Sequence, residues 1–123
     1  AKVRELDHSI PLPQGVVGVA VEGALTFANQ RGLRRALARL VEREGVENLH
    51  AVVVSLETTT QFDLSAERAI VDLVHDYAEG ELEVHVVCPD GTIRRLMERT
   101  GLLASLEGHA HEDISAAISA SSR

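Results

Sequence analysis

The chain has 123 residues and 45% apolar residues, with two Phe, one Tyr and no Trp. That length suits one domain able to bury roughly two thirds of its unfolded surface, around an aliphatic core. The net charge of −7 and the lack of aromatic platforms argue against binding nucleic acid or an anionic membrane surface.

Cys88 is the single cysteine, so no internal disulfide forms, which fits a reducing compartment. The N-terminus has no signal-peptide pattern, and no window approaches the ~18 apolar residues of a membrane span. The chain starts at Ala1, so either an initiator Met has been removed or it is a piece of a longer protein. No internal repeat is visible.

In chain order, residues 2–7 are a weak strand, and Pro11 and Pro13 mark a turn. Val16–Val21 is a β-branched strand bounded by Gly15 and Gly23. The two strands can pair in antiparallel fashion. Residues 28–44 predict a helix, with Leu33, Ala36, Leu37, Leu40 and Val41 on one face, Asn29 as its cap and Gly45 as its stop. Five arginines, Arg31, Arg34, Arg35, Arg39 and Arg43, lie mostly off that face and read as solvated. His50–Leu56 is a strand, and its uninterrupted apolar run suggests burial on both faces.

Residues 64–79 predict a second helix with Ala66, Ala69, Ile70, Leu73, Val74 and Tyr77 inward and Gly80 at its end. Leu82–Cys88 is a further strand and Thr92–Arg99 a short helix. Residues 105–110 read as a weak edge strand, and Asp113–Ala120 as a last helix, with order lost after Ile118. Strands alternating with amphipathic helices imply a mainly parallel sheet. The expected architecture is α/β: roughly four or five strands, the N-terminal one antiparallel, flanked by about four helices. Residues 1–14 would be an N-terminal strand and linker, 15–120 the domain, and 121–123 a frayed tail.

No phosphate loop, dinucleotide fingerprint or nucleophile elbow is present, and no acid–base pair assembles, so no catalytic residue is assigned. Cys88 ends a buried strand and reads as a small hydrophobe. His109 and His111 alternate, so an extended backbone would turn both to one face. Without a four-ligand framework they read as solvated loop histidines, and His50 and His85 as residues of the sheet wall. No metal or cofactor is expected.

The segment Ser55–Glu67, SLETTTQFDLSAE, has the most unusual chemistry. It leaves the most apolar strand and opens the second helix, where ligands and partners of open α/β sheets meet the crevice. Asp63 is placed to cap that helix, and Ser65 falls in its first turn. Thr58, Thr59, Thr60, Asp63 and Ser65 are therefore either cap and turn residues alone or a contact face.

The chain from about Val16 to Ile118 resembles a STAS domain, the module of sulfate transporters and anti-sigma factor antagonists. Gly23-Ala24-Leu25-Thr26-Phe27-Ala28-Asn29 is similar to the G-P-L-x-F-A-N approach to the first helix in SulP-type anion transporters. Residues 52–74 resemble the family's V-V-L-D-x-x-x-V-x-x-I-D-x-[ST]-G segment, and residues 94–103 its third helix. The chain departs from the pattern at Ser55, where Asp is usual, and at Ala66, where Gly is usual.

The resemblance implies a non-catalytic role in protein contacts. Ser65 matches the serine phosphorylated in free-standing antagonists, and Asp63 the Asp before it. Phe27, Ala28 and Asn29 favour the transporter branch. There the domain is cytoplasmic, and its partner is the transmembrane part of the same transporter or a regulatory protein. A homodimer is a family-level expectation. Nucleotide binding, known in some relatives, is not located by any residue here. The alternative is a free-standing antagonist regulated by serine phosphorylation.

Overall fold

The computed structural model describes residues 2–6 and 11–121. Strand β1 (Lys2–Glu5) runs antiparallel to β2 (Val16–Leu25), with Lys2 opposite Glu22 and Glu5 opposite Val19. Residue 7 of the predicted first strand lies outside the described residues. The turn at Pro13 is closed by the Val16 N–H donating to the Pro13 carbonyl at 3.2 Å.

Helix α1 (Gln30–Glu44) follows, and its neighbour β3 (Ala51–Ser55) lies parallel to β2. Strand β4 (Thr59–Phe62) leads into α2 (Leu64–Glu79), and β5 (Glu83–Val87) pairs parallel with β3. Helices α3 (Thr92–Thr100) and α4 (Leu102–Ser105), strand β6 (Ala110–His111) and helix α5 (Ile114–Ser121) complete the fold. The sheet order is β1-β2-β3-β5-β6, with β4 joined to β2 off this path. Among the described residues the α/β sheet is therefore six-stranded, and every pair except β1–β2 is parallel.

Alternation along the strands sorts their side chains to two faces. Val17, Val19, Val21, Val52, Val54, Val84 and Val86 face α1 to α4, meeting Leu33, Leu37, Ile70, Leu73, Met97 and Leu102. Val16, Ala20, Ala51, Val53 and Val87 face the other way, against Leu6 and Ala117 of α5. Among the described residues four helices thus cover one face, and one short helix covers much of the other. On the outer side of α1, Arg43 holds both carboxylate oxygens of Glu5 and Arg34 pairs with Asp76 at 2.7 Å. Such exposed pairs contribute little, in keeping with a solvated face.

Four differences from the sequence expectation have physical causes. β2 continues past Gly23 to Leu25, because Gly23 takes φ 85° and the register with β4 shifts there, a bulge rather than a stop. β4 forms within the segment expected to be a connection, whose Thr59-Thr60-Gln61-Phe62 has too little apolar content to mark a strand. Of residues 105–110, only Ala110 joins a strand; Ser105 closes α4. α5 stays helical to Ser121, which is fully buried, so order extends beyond Ile118; residues 122–123 lie outside the described residues.

Candidate interaction surface

At the carboxyl end of β3 the chain turns sharply. The Leu56 N–H donates to the Val87 carbonyl at 2.7 Å, and the Thr59 N–H donates back to the Leu56 carbonyl at 3.1 Å. β4 then crosses to the far end of β2, where Gly23, Ala24 and Leu25 pair with Thr59, Gln61 and Phe62. Two threonine hydroxyls fasten this crossing: Thr59 Oγ1 donates to the Val21 carbonyl at 2.8 Å and Thr58 Oγ1 to the same oxygen at 3.2 Å. Thr59 is only 8% exposed. It therefore belongs to the interior, and the expected face of three threonines reduces to Thr58 and Thr60.

Asp63 caps α2 as its position predicts. Its backbone is extended, and Oδ1 accepts from the Ala66 N–H at 2.8 Å. Replacing Asp63 with alanine should cost about 1 kcal/mol, read as a lower urea midpoint with unchanged slope. Ser65, in the first turn, is half-buried. Glu67, two residues further from the cap, encloses its Oε2 without a hydrogen-bond partner. Ser55 donates to Glu57 Oε1 at 3.3 Å.

The approach to α1 is built differently from expectation. Asn29 does not cap the helix with its side chain. Its Oδ1 accepts from the Thr26 N–H at 2.8 Å, and its Nδ2 donates to the Ala24 carbonyl at 2.9 Å. The side chain thereby holds the bend that carries Phe27 and Ala28. Phe27 is 72% exposed, and Leu64, the first residue of α2, is 69% exposed. Each lies two residues beyond the last pair of β2 and β4, Leu25 with Phe62, so both sit at the same end of the sheet.

Sequence periodicity missed this pair because it marks inward residues. The available signal was that Leu64 falls off the Ala66, Ala69, Ile70, Leu73 stripe. Between these elements and α3 lie two open hollows. One of 400 Å³ is lined by Thr26, Thr60, Phe62, Asp63, Ile93 and Leu96 among others. The other, of 200 Å³, is lined by Glu57, Thr60, Cys88 and Asp90 among others.

Cys88 is buried, and burial raises its thiol pKa despite Arg94 nearby, so it stays protonated and inert. His85 is buried in β5 as a residue of the sheet wall, as expected, but His109 and His111 depart from the sequence reading. His109 and His111 are half-buried, and both rings stack on His85, at 4.7 Å and 5.1 Å between centroids. Among the described residues no three His, Cys, Asp or Glu side chains are disposed to hold a metal ion. No helix among them is long and apolar enough to cross a membrane.

Comparison with known proteins agrees with the fold. The chain is 28% identical over 109 residues, 78% of its length, to "Probable sulfate permease C320.05" of Schizosaccharomyces pombe, of which it spans 16%. A sulfate transporter family protein from Wolinella succinogenes superposes with a TM-score of 0.76 at 16% identity, over 92% of this chain and 90% of that one. An anti-sigma factor antagonist from Mycobacterium paratuberculosis gives 0.66 at 21% identity, over 98% and 94%. These two structures share the fold, with helices packed over a largely parallel sheet. The STAS domain profile matches residues 9–117, most of the chain, and with the sheet order and the Asp63-capped second helix it places this protein in the STAS domain family.

Proposed function

We propose that this chain is a non-catalytic regulatory domain of a SulP-like anion transporter, lying in the cytoplasm and contacting the transmembrane part of the same protein. The observation that carries the reading is the exposed pair Phe27 and Leu64, set beside the capped start of α2 at Asp63 and Ser65. Two large apolar side chains held out by a bonded bend and a helix cap are suited to a partner, since their exposure gains the isolated domain nothing. The identity to a sulfate permease supports the transporter branch. Thr58, Thr60, Asp63 and Ser65 supply a polar rim to the apolar pair.

A second reading is a free-standing antagonist, favoured by Ser65 at the start of α2 and by the near-complete overlap with an antagonist structure. A phosphoryl group on Ser65 would add about −1.5 to −2 charges beside Glu57, Asp63 and Glu67, repelling a partner on this face.

The complete reading frame separates the two. Roughly ten or more apolar 20-residue spans upstream would establish the transporter; a stop-bounded frame of this length would sink it. In that full-length transporter, Ser65→Asp and Leu64→Arg should each reduce transport several-fold. Stability of the isolated chain should stay within about 1 kcal/mol, because acidic groups suit a first helical turn and Leu64 buries little. Unchanged transport in both variants would leave only a capped helix and a polar loop.

A further inference from the structure

On the face of the sheet covered by α5, three side chains form a continuous hydrogen-bonded chain. Glu83 Oε1 lies 3.0 Å from His85 Nε2, and His85 Nδ1 lies 2.9 Å from His111 Nε2. A carboxylate only accepts, so His85 carries its proton on Nε2, and its Nδ1 accepts from His111 Nε2–H. His109 donates Nδ1–H to the Val84 carbonyl at 3.1 Å and stacks on His85 with an 11° interplanar angle. His50, preceding β3, donates Nε2–H to the Ser121 carbonyl at 2.6 Å and so holds the last turn of α5.

Every neighbouring element bears on His85. Glu83 comes from its own strand, His50 from the approach to β3, and His109 and His111 from the β6 side. Arg94 of α3 lies near the His111 carbonyl, at 3.5 Å. Asp113, whose Oδ1 accepts from the Ala116 N–H, caps α5, and α5 itself has no titratable side chain.

The chain can take up one proton intact: the proton adds at His111 Nδ1 while the Nε2 proton passes to His85 Nδ1. A second proton cannot be accommodated. Both nitrogens of the 2.9 Å contact would then carry hydrogen and neither could accept, with imidazolium rings stacked about 5 Å apart. Burial and the neighbouring imidazoles already hold His85 down at about 4, and burial first holds His111 below its ordinary value, in spite of Asp113.

The elements above this cluster are weakly held. β6 has two residues, joined to β5 through the Val86 and Cys88 N–H groups, and α5 buries only Ala117 and Ser121 fully. We propose that Glu83, His85, His109 and His111 form an acid-operated latch, whose protonation releases β6 and α5 together from the sheet. The release uncovers Val16, Ala20, Val53 and Val87 while the four-helix face stays folded.

Amide hydrogen exchange of the 123-residue chain, corrected for intrinsic rates, tests this at about pH 7.5 and about pH 5. Residues 114–121 should lose ~tenfold or more of their protection in acid, through an opening of lower free energy and weaker denaturant dependence than that of Val52–Val54 and Ile70–Leu73, which follow global unfolding. The double variant His109→Asn/His111→Gln keeps both donors but removes two imidazoles of the cluster, and its α5 should lose clearly less protection in acid than the parent's, the remainder being due to His85. The exposed His75→Gln should behave as the parent chain. Equal opening free energies and equal denaturant dependence in β3, α2 and α5 would overturn the latch, as would undiminished pH dependence in the double variant. If that variant does not fold, the parent profile decides: protection of α5 that is indifferent to pH refutes the proposal.

Discussion

Replacing Leu25 with alanine should lower the unfolding free energy by about 3 kcal/mol and the melting temperature by on the order of 10 °C. Leu25 is fully buried at the end of β2, where it pairs with Phe62 and joins the larger core. Removing its side chain loses transfer energy and leaves a cavity between two strand ends that cannot close without moving β4. The next residue, Thr26, is bonded to Asn29, so the same void lies under the bend that presents Phe27. Urea unfolding should show a lower midpoint at constant slope. A cost below about 1 kcal/mol would mean that β4 collapses freely, and that the bend is not braced by the core.

The second large effect is a loss of stability in acid. His85 is 2% exposed and its pKa is lowered to about 4, because burial and nearby imidazoles disfavour its charged form. In the unfolded chain the same group titrates at about 6.5. On acidification the unfolded state therefore binds the proton first, and stability falls with pH. The contribution is complete above about pH 6.5, shrinks between pH 6.5 and 4, and is gone below about 4. From His85 alone the drop between pH 7.5 and 5 should be about 2 kcal/mol. Denaturant unfolding at the two pH values measures it, and His85→Gln should flatten the difference. A flat parent profile would show that His85 is not held neutral.

Much of the fold was legible because it rests on periodicity. Leu33, Leu37 and Leu40, and Ala66, Ile70 and Leu73, mark helical stripes, and the apolar run Ala51–Val54 marks a strand buried on both faces. β4 was illegible because it forms for hydrogen bonding rather than burial: of its four residues only Thr59 and Phe62 are covered, and a strand pattern cannot show that Val21 offers an acceptor there.

At the candidate site, Asp63 was readable because a cap is a local geometry. Thr59 was misplaced, and Asn29, which does stand at the N-cap position of α1, was given the wrong bonds, because their partners, Val21 for one and Ala24 with Thr26 for the other, are chosen by the path of the chain. The histidine cluster was invisible for a related reason. His85 lies 24 residues before His109, and only the parallel pairing of β5 with β6 brings them together.

The central position of β3 carries a further consequence for the unfolded chain. Ala51-Val52-Val53-Val54-Ser55-Leu56 is uncharged and β-branched, the composition of a segment that pairs with copies of itself in amyloid-like stacks. In the folded domain it is hydrogen-bonded on both sides, by β2 and by β5, and no edge is offered. The two outer strands are poor templates: β1 has four residues bearing Lys2, Arg4 and Glu5, and β6 has two. The architecture thus confines its most self-associating sequence to the place where another molecule cannot reach it. Flanking His50 and Glu57 serve as gatekeepers while the chain is still unfolded.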